Sequence, residues 1–436
     1  MVFCYIVTML DYKFIAENLT AVTANIADRF MKADAGVVSR LYNKRTELTT
    51  NLQSLQHKRN VNAETMKGKG AQALDLVQRT NLIDEGKRLK EEIAAAETEL
   101  SAIETELLTE ARKIPNMAHP DAPVGREDKD NLEIKKVGKP YKFNFEPADH
   151  VKLGQDLDII DFDSGTKVSG TKFYYLKNEG VYLELGLVRY ALDILQKKGF
   201  TPYITPDLAK EEILEGIGFN PRGAESNIYT IDGENTCLVG TAEITLGGYY
   251  SNTIIPREKL PLRMAGLSHC FRREAGAAGQ FSKGLYRVHQ FTKLEMFVFC
   301  LPEESEHFHE ELRLIEEEIF EGLGIPFRVV DTCTGDLGAP AYRKWDLEAW
   351  MPGRNGGEYG EVTSTSNCTD YQARRLNIRF KDTDGKNKFV HMLNGTAVAV
   401  SRAIIAILEN FQQEDGSVRI PRALVPYCGF DIIRRK

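Results

Sequence analysis

A chain of 436 residues is long enough for two or three domains, at least one with a sizeable core. A hydrophobic fraction of 42% and a charged fraction of 27% are those of a soluble globular protein, and no apolar run reaches the length of a membrane span. The net charge of -7 excludes a bulk basic signature for nucleic acid, so any RNA contact has to come from a local patch.

The first eight residues, MVFCYIVT, are apolar but too short and too uncharged for a signal sequence. Seven cysteines (Cys4, Cys237, Cys270, Cys300, Cys333, Cys368, Cys428) lie far apart without a C-x-x-C pair. They are expected to be buried free thiols in a reducing compartment, with no structural zinc. From 34 to 113 the chain turns rich in Glu, Lys, Gln and Ala. Val37, Leu41, Leu48, Leu52 and Leu55, then Leu82, Leu89, Ile93, Leu100, Ile103 and Leu107, follow a/d heptad spacing. KGKG at 67–70 suits a reversal between them. The pattern predicts an antiparallel coiled-coil hairpin roughly 45 Å long. Such a hairpin alone is a dimerisation rod or a spacer. Its charges point elsewhere: Lys44, Arg45, His57, Lys58, Arg59, Lys67, Lys69 and Arg79 gather in the tip half, and acids dominate 91–110, which suits contact with phosphates. Pro115, Pro120, Pro123 and Gly125 mark 117–126 as a linker, dividing the chain into 1–116 and 117–436.

Beyond Gly138 the pattern becomes α/β-like. Phe173-Tyr174-Tyr175-Leu176 reads as an aromatic strand, 180–198 as a long amphipathic helix, and 199–206 as a strand ending on Pro206. In VGTAE (239–243), Thr241 is either a helix N-cap with Ala242 and Glu243 in the first turn, or the neighbour of a buried carboxylate that needs a partner. The stretch SHCFRREAGAAGQFSKGLYRVHQFTKLEMFVFC (268–300) reads as two strands joined by a loop containing Gly276, Gly279 and Gly284. With the first strand carrying 271–274, Arg272 and Glu274 share a face. With the second running from about 286 to 299, Phe291, Lys293 and Glu295 share another such row. Arg272 can fork onto a phosphate, Glu274 can accept from an adenine amino group, and Phe291 can stack on its ring. Glu295 is left for an amine or hydroxyl. The alternative is an edge ribbon with solvated charges. His307 and His309, on a Glu-rich helix over 303–322, read as solvated or core histidines. A strand is predicted over 344–352. In GEVTS (360–364), Glu361 and Ser364 offer hard oxygens suited to magnesium, unless they are incidental polar residues of a strand. HMLNGTAVAVSR (391–402) reads as a strand entering a helix that runs to about 410.

These motifs, in this order, resemble the class II aminoacyl-tRNA synthetases, and among them the seryl-tRNA synthetases of bacterial and organellar type, from Met9 to the C-terminus. FRRE with RVHQFTKLE resembles motif 2, 183–206 motif 1 and 391–410 motif 3. TAE is similar to the family's serine-binding loop, and IPNMAHPDAPVG (114–125) to its hinge. The resemblance implies an α+β fold: an antiparallel β-sheet flanked by helices, preceded by a helical coiled-coil arm. It implies ATP-dependent activation of serine and its transfer to tRNA(Ser), and also to tRNA(Sec). It carries serine binding onto Thr241, Ala242, Glu243, Arg272, Glu295 and Thr396. ATP binding falls on Arg272, Arg273, Glu274, Phe291, Glu361, Val362, Thr363, Ser364 and Arg402, and Mg2+ on Glu361 and Ser364. Arg272, Glu274 and Arg402 carry the catalysis. The implied partners are tRNA, gripped by the basic arm tip, and a second copy of the chain at motif 1. The implied location is the cytoplasm, or else an organelle matrix. Thr396 stands where the family usually has Ser, keeping the hydroxyl and adding a methyl. Arg273 stands where a small polar residue is common, with its side chain expected to point away from the site. The competing expectation is an inactive synthetase-like protein that only holds tRNA.

Overall fold

The computed structural model describes residues 10–67, 74–220, 227–274 and 284–435. Met9, the 68–70 reversal with Lys69, and Gly276 and Gly279 of the hairpin loop lie outside them. The chain forms two compact units, one ending at Pro115 and one beginning at Asn116.

In the N-terminal unit two long helices, Ala35–Lys67 and Leu76–Ala111, form the predicted hairpin. Thirty-three and 36 residues at 1.5 Å each make rods of about 50 Å. The heptads bury Leu41, Leu55, Leu89, Ile93, Ile103 and Leu107, and Ala96 joins Leu55, Leu89 and Ile93 in one buried cluster. Val38, next to the expected Val37, is the deeper of the two valines. Asp75 starts the second helix with a capping box: it accepts from the Gln78 N–H at 2.7 Å, and Gln78 accepts from the Asp75 N–H at 3.1 Å. The basic group is smaller than the spacing predicts. Lys44 pairs with Glu99 at 2.8 Å and Arg45 with Glu104 at 3.0 Å, so both serve to join the helices near the acidic root. His57, Lys58, Arg59 and Lys67 remain exposed.

The second unit is built on eight strands: β1 (Leu132–Val137), β2 (Thr201–Ile204), β3 (Leu262–Phe271), β4 (Gln290–Cys300), β5 (Phe327–Asp331), β6 (Arg343–Met351), β7 (Glu358–Asn367) and β8 (His391–Ala399). Their order is β1-β5-β6-β7-β8-β4-β3-β2. All neighbours are antiparallel except the edge strand β2, which runs parallel to β3. Helices Glu179–Lys197, Ser305–Gly322 and Val400–Asn410 join one core with the even residues of β4, namely Leu294, Met296, Val298 and Cys300. The odd residues Phe297 and Phe299, with Leu301 just past the strand, enter a second core with helices Glu211–Ile217 and Ala242–Gly248. Period-two alternation therefore puts Phe291, Lys293 and Glu295 on the face opposite the three long helices. The site is built on that face.

Several expected boundaries move. The first hairpin strand ends at Phe271, so Arg272 and Glu274 lie beyond it, not side by side along a strand face. The second begins at Gln290, and 286–289 is irregular. The aromatic strand shortens to Tyr175–Leu176, paired with Ile160–Asp161. Residues 117–126 are no free linker: the His119 N–H donates to the Tyr342 carbonyl at 2.8 Å, and the Gly335 N–H to the Gly125 carbonyl at 2.9 Å. His307 is exposed, but His309 is a core residue. Its ring stacks on Trp345 at 4.0 Å, and burial holds its pKa down to about 3, so it stays neutral. The six described cysteines are all buried thiols.

Candidate active site

Glu295 sits at the centre of the polar face, between Gly266 of β3 and Thr396 of β8 in the pairing register. It is 2% exposed and ion-paired with Lys293, itself buried two positions earlier on the same face. The hydroxyls of Thr241 and Thr396 each donate to its Oε2 at 3.4 Å. A buried carboxylate is tolerated here because cation and hydroxyls replace its water. Glu243 lies nearby. Thr241 does cap the helix Ala242–Gly248, accepting from the Glu243 N–H at 3.2 Å, and the same side chain reaches Glu295. Both readings of the T-x-E segment therefore apply to one residue. The Gln372 and Asn394 amides donate to Glu243 Oε1 at 2.7 and 3.0 Å. Burial, with repulsion from Glu295, outweighs these bonds and pushes Glu243 up to about 7. Ala242 is packed in the second core and offers only backbone.

A narrow cleft opens beside this pocket, lined by Arg272, Glu274, Tyr286, Phe291, Lys293, Glu361, Thr396 and Arg402. Arg272 Nε donates to the Gly240 carbonyl at 3.2 Å, and its guanidinium lies 5.3 Å from the Phe291 ring centre. Glu274 adopts the left-handed region, φ 47°, and takes Arg287 Nη1 at 3.2 Å. Such a backbone for a glutamate is typical of a site held by its surroundings. Arg402 pairs with Glu361 through both its carboxylate, at 3.2 Å, and its carbonyl, at 3.1 Å. The Arg402 guanidinium rests 4.6 Å from the Tyr286 ring centre, and the Tyr286 hydroxyl donates to the same Glu361 carbonyl at 3.3 Å.

Glu361 and Ser364 are three apart, which on a regular strand would put them on opposite faces. The β6–β7 register gains one residue at Val362, between the pairs Glu348↔Glu361 and Leu347↔Thr363. That bulge resets the alternation, so Glu361 and Ser364 share a face; Glu361 lines the cleft, whereas Ser364 is not among its lining residues and bonds to Asp346. Val362 and Thr363 also line the cleft, with Val362 packed into the core and the Thr363 hydroxyl donating to Glu316 on the helix side. Burial would raise Glu361, but Arg402, Lys344 and Arg272 outweigh it and hold the carboxyl below its ordinary range. An ionised carboxylate in the cleft suits a hard divalent cation. Arg273 is not brought to the cleft: its N–H donates to the Asn227 carbonyl, and its charge lies near Tyr229.

Sequence reasoning passed over Gln372, Asn394, Tyr286 and Arg287. Asn394 and Arg287 lay inside the quoted motifs, where strand parity places Asn394 on the same face as Thr396. Gln372 carried no signal, since it comes from a separate short helix, Tyr371–Leu376.

The family model of the class II tRNA synthetase core domain (G, H, P, S and T) matches residues 229–411, and that of the seryl-tRNA synthetase N-terminal domain matches residues 9–118. Serine–tRNA ligase of Treponema denticola is 71% identical over 98% of this chain and 100% of its own length. The chain belongs to the seryl-tRNA synthetase family. The synthetase also shares 59% identity with the Treponema pallidum serine–tRNA ligase, over 98% of this chain and 99% of that one. Among solved structures, seryl-tRNA synthetase of Pyrococcus horikoshii complexed with ATP matches with a TM-score of 0.90 at 40% identity, covering 98% of this chain and 100% of that one. The activity is that of a serine–tRNA ligase, on a class II core with its antiparallel-rich sheet. Nothing favours the inactive tRNA-binding alternative. No helix among the described residues is long and apolar enough to cross a membrane.

Proposed function

We propose that the pocket around Glu295 holds serine and that the cleft beside it holds ATP. The observation that carries this reading is the convergence of two carboxylates and two hydroxyls on one buried spot next to two arginines. Glu243 and Thr241 take the serine amino group, and Glu295 with Thr396 takes its hydroxyl. Alanine is then rejected because it leaves buried polar groups unpaired, and threonine is excluded by shape. Glu274 reads the adenine amino group, Phe291 stacks on the ring, and Arg402 holds the γ-phosphate. A serine carboxylate oxygen bonds to the α-phosphorus while the bond to pyrophosphate breaks. The terminal tRNA ribose hydroxyl then attacks the seryl carbonyl and AMP leaves. Arg272 neutralises charge gathering on the α-phosphate; no protein nucleophile takes part. Mg2+ would be held by Glu361 and Ser364 and would neutralise phosphate charge.

The pocket has a pH signature. Glu243 is ionised only above about 7, and only the ionised form grips an ammonium. KM for serine should therefore fall about tenfold between about pH 6 and about pH 8. Glu243→Gln, which keeps the acceptor for Gln372 and Asn394, should raise KM and flatten the profile. A flat wild-type profile would remove Glu243 from amine recognition. The same raised value makes folding less favourable as pH rises from 4.5 to about 7, where the folded protein holds a proton the unfolded chain releases.

Three further parts of the reading concern partners. The exposed basic residues Lys58, Arg59 and Lys67 of the arm, with His57 beside them, would touch the tRNA backbone, reading shape more than bases. Exposed Tyr182 and Leu185 on the helix Glu179–Lys197, with Ile204 on the edge strand β2 at 87% exposure, suit a second copy of the chain. The cytoplasm suits a tRNA substrate and buried free thiols. Mass in solution, Mg2+ titration of the exchange reaction and cell fractionation are the corresponding checks.

A further inference from the structure

We propose that His150 is a positioning residue for ATP, acting through the backbone at Leu285. It lies outside every motif that carries the family resemblance. His150 begins the helix His150–Asp156, is 7% exposed, and touches two distant segments, at Glu409 and at Gly284–Leu285. Its N–H and its Nδ1 lie 3.0 and 2.8 Å from Glu409 Oε1, near the end of the helix that carries Arg402. Glu409 Oε2 accepts in turn from the Gly353 N–H at 2.9 Å. On the far side of the ring, the Leu285 N–H donates to His150 Nε2 at 3.2 Å. An imidazole that accepts at Nε2 carries its proton on Nδ1, so these contacts select one neutral tautomer, donating to Glu409.

The packing around Nε2 is equally specific. Gly284 has a φ of 63°, and a Cβ there would lie 2.2 Å from His150 Nε2. The backbone is pressed against the ring, and only glycine fits. Leu285 is followed by Tyr286, whose ring carries the Arg402 and Arg354 guanidiniums, each 4.6 Å from its centre, and whose hydroxyl reaches the Glu361 carbonyl. His150 thus ties the residue before Tyr286 to the helix that bears Arg402. Both ends of the Tyr286–Arg402 contact are referred to one buried side chain. The inference rests on the assignment of Arg402 to ATP.

Two isosteric changes separate the two bonds. His150→Asn places an amide nitrogen where Nδ1 was, keeping the donor to Glu409 and losing the acceptor for Leu285. His150→Gln places an oxygen where Nε2 was, keeping that acceptor and losing the donor. In serine-dependent ATP–pyrophosphate exchange, His150→Asn should raise KM for ATP roughly tenfold, leaving kcat and KM for serine within about twofold. His150→Gln should keep KM for ATP near wild type while lowering the thermal midpoint, because Glu409 loses its buried partner. Arg402→Gln, measured alongside, should raise KM for ATP more than either. An unchanged KM for ATP in His150→Asn, or an equal rise in both His150 variants, overturns the proposal if Arg402→Gln is impaired. If Arg402→Gln is also unimpaired, the assignment of Arg402 fails with it.

Discussion

Arg272→Ala should lower kcat/KM for serine-dependent ATP–pyrophosphate exchange by at least roughly 10²- to 10³-fold, the loss typical of removing one charge-stabilising donor from a desolvated site. The effect belongs to chemistry rather than to folding. Arg272 lies just beyond the end of β3, is only partly buried, and its side chain makes one hydrogen bond to a carbonyl oxygen and one ring contact. Neither core contains it. Yet it stands between the two halves of the site, near Glu243 and Glu361, whose ionisation it favours in both cases. Its removal should leave the thermal midpoint close to wild type. Exchange within about tenfold of wild type in a folded variant would show that charge on the α-phosphate is met elsewhere.

Deleting residues 34–112 should leave exchange largely intact and lower tRNA charging by roughly 10³-fold or more, as expected when several phosphate contacts are lost together. The arm has its own seam, around Leu55, Leu89, Ile93 and Ala96, and the two cores of the second unit draw on none of its side chains. In the proposed reading, serine and ATP are handled by β3, β4, β7, β8 and the helices behind them. The reading fails if a folded truncation loses both activities, or charges tRNA normally.

Whatever depends on local pattern was legible in the sequence. Heptad spacing in 34–113 predicted the paired helices. Alternation in β4 predicted that Phe291, Lys293 and Glu295 share a face, and the resemblance of motifs 2 and 3 brought Arg272 and Arg402 to one cleft. What depends on contacts between distant segments was not. Lys44 and Arg45 look like tip cations until the partner helix presents Glu99 and Glu104 to them. The bulge at Val362, which turns Glu361 and Ser364 the same way, arises from pairing with β6 and has no local signature. Past Phe271 the Arg272 N–H still bonds to its register partner, the His289 carbonyl, and pairing is lost at Arg273, whose N–H goes to the Asn227 carbonyl. The support of Glu243 by Gln372, 129 residues away, is likewise a tertiary fact.

The central claim is that this pocket selects serine for reaction with ATP. ATP–pyrophosphate exchange by the full chain, run with each of the twenty amino acids, tests it most directly. Exchange with serine alone is the predicted result. Exchange with none of them while tRNA still binds, or with alanine or threonine as readily as with serine, would contradict it.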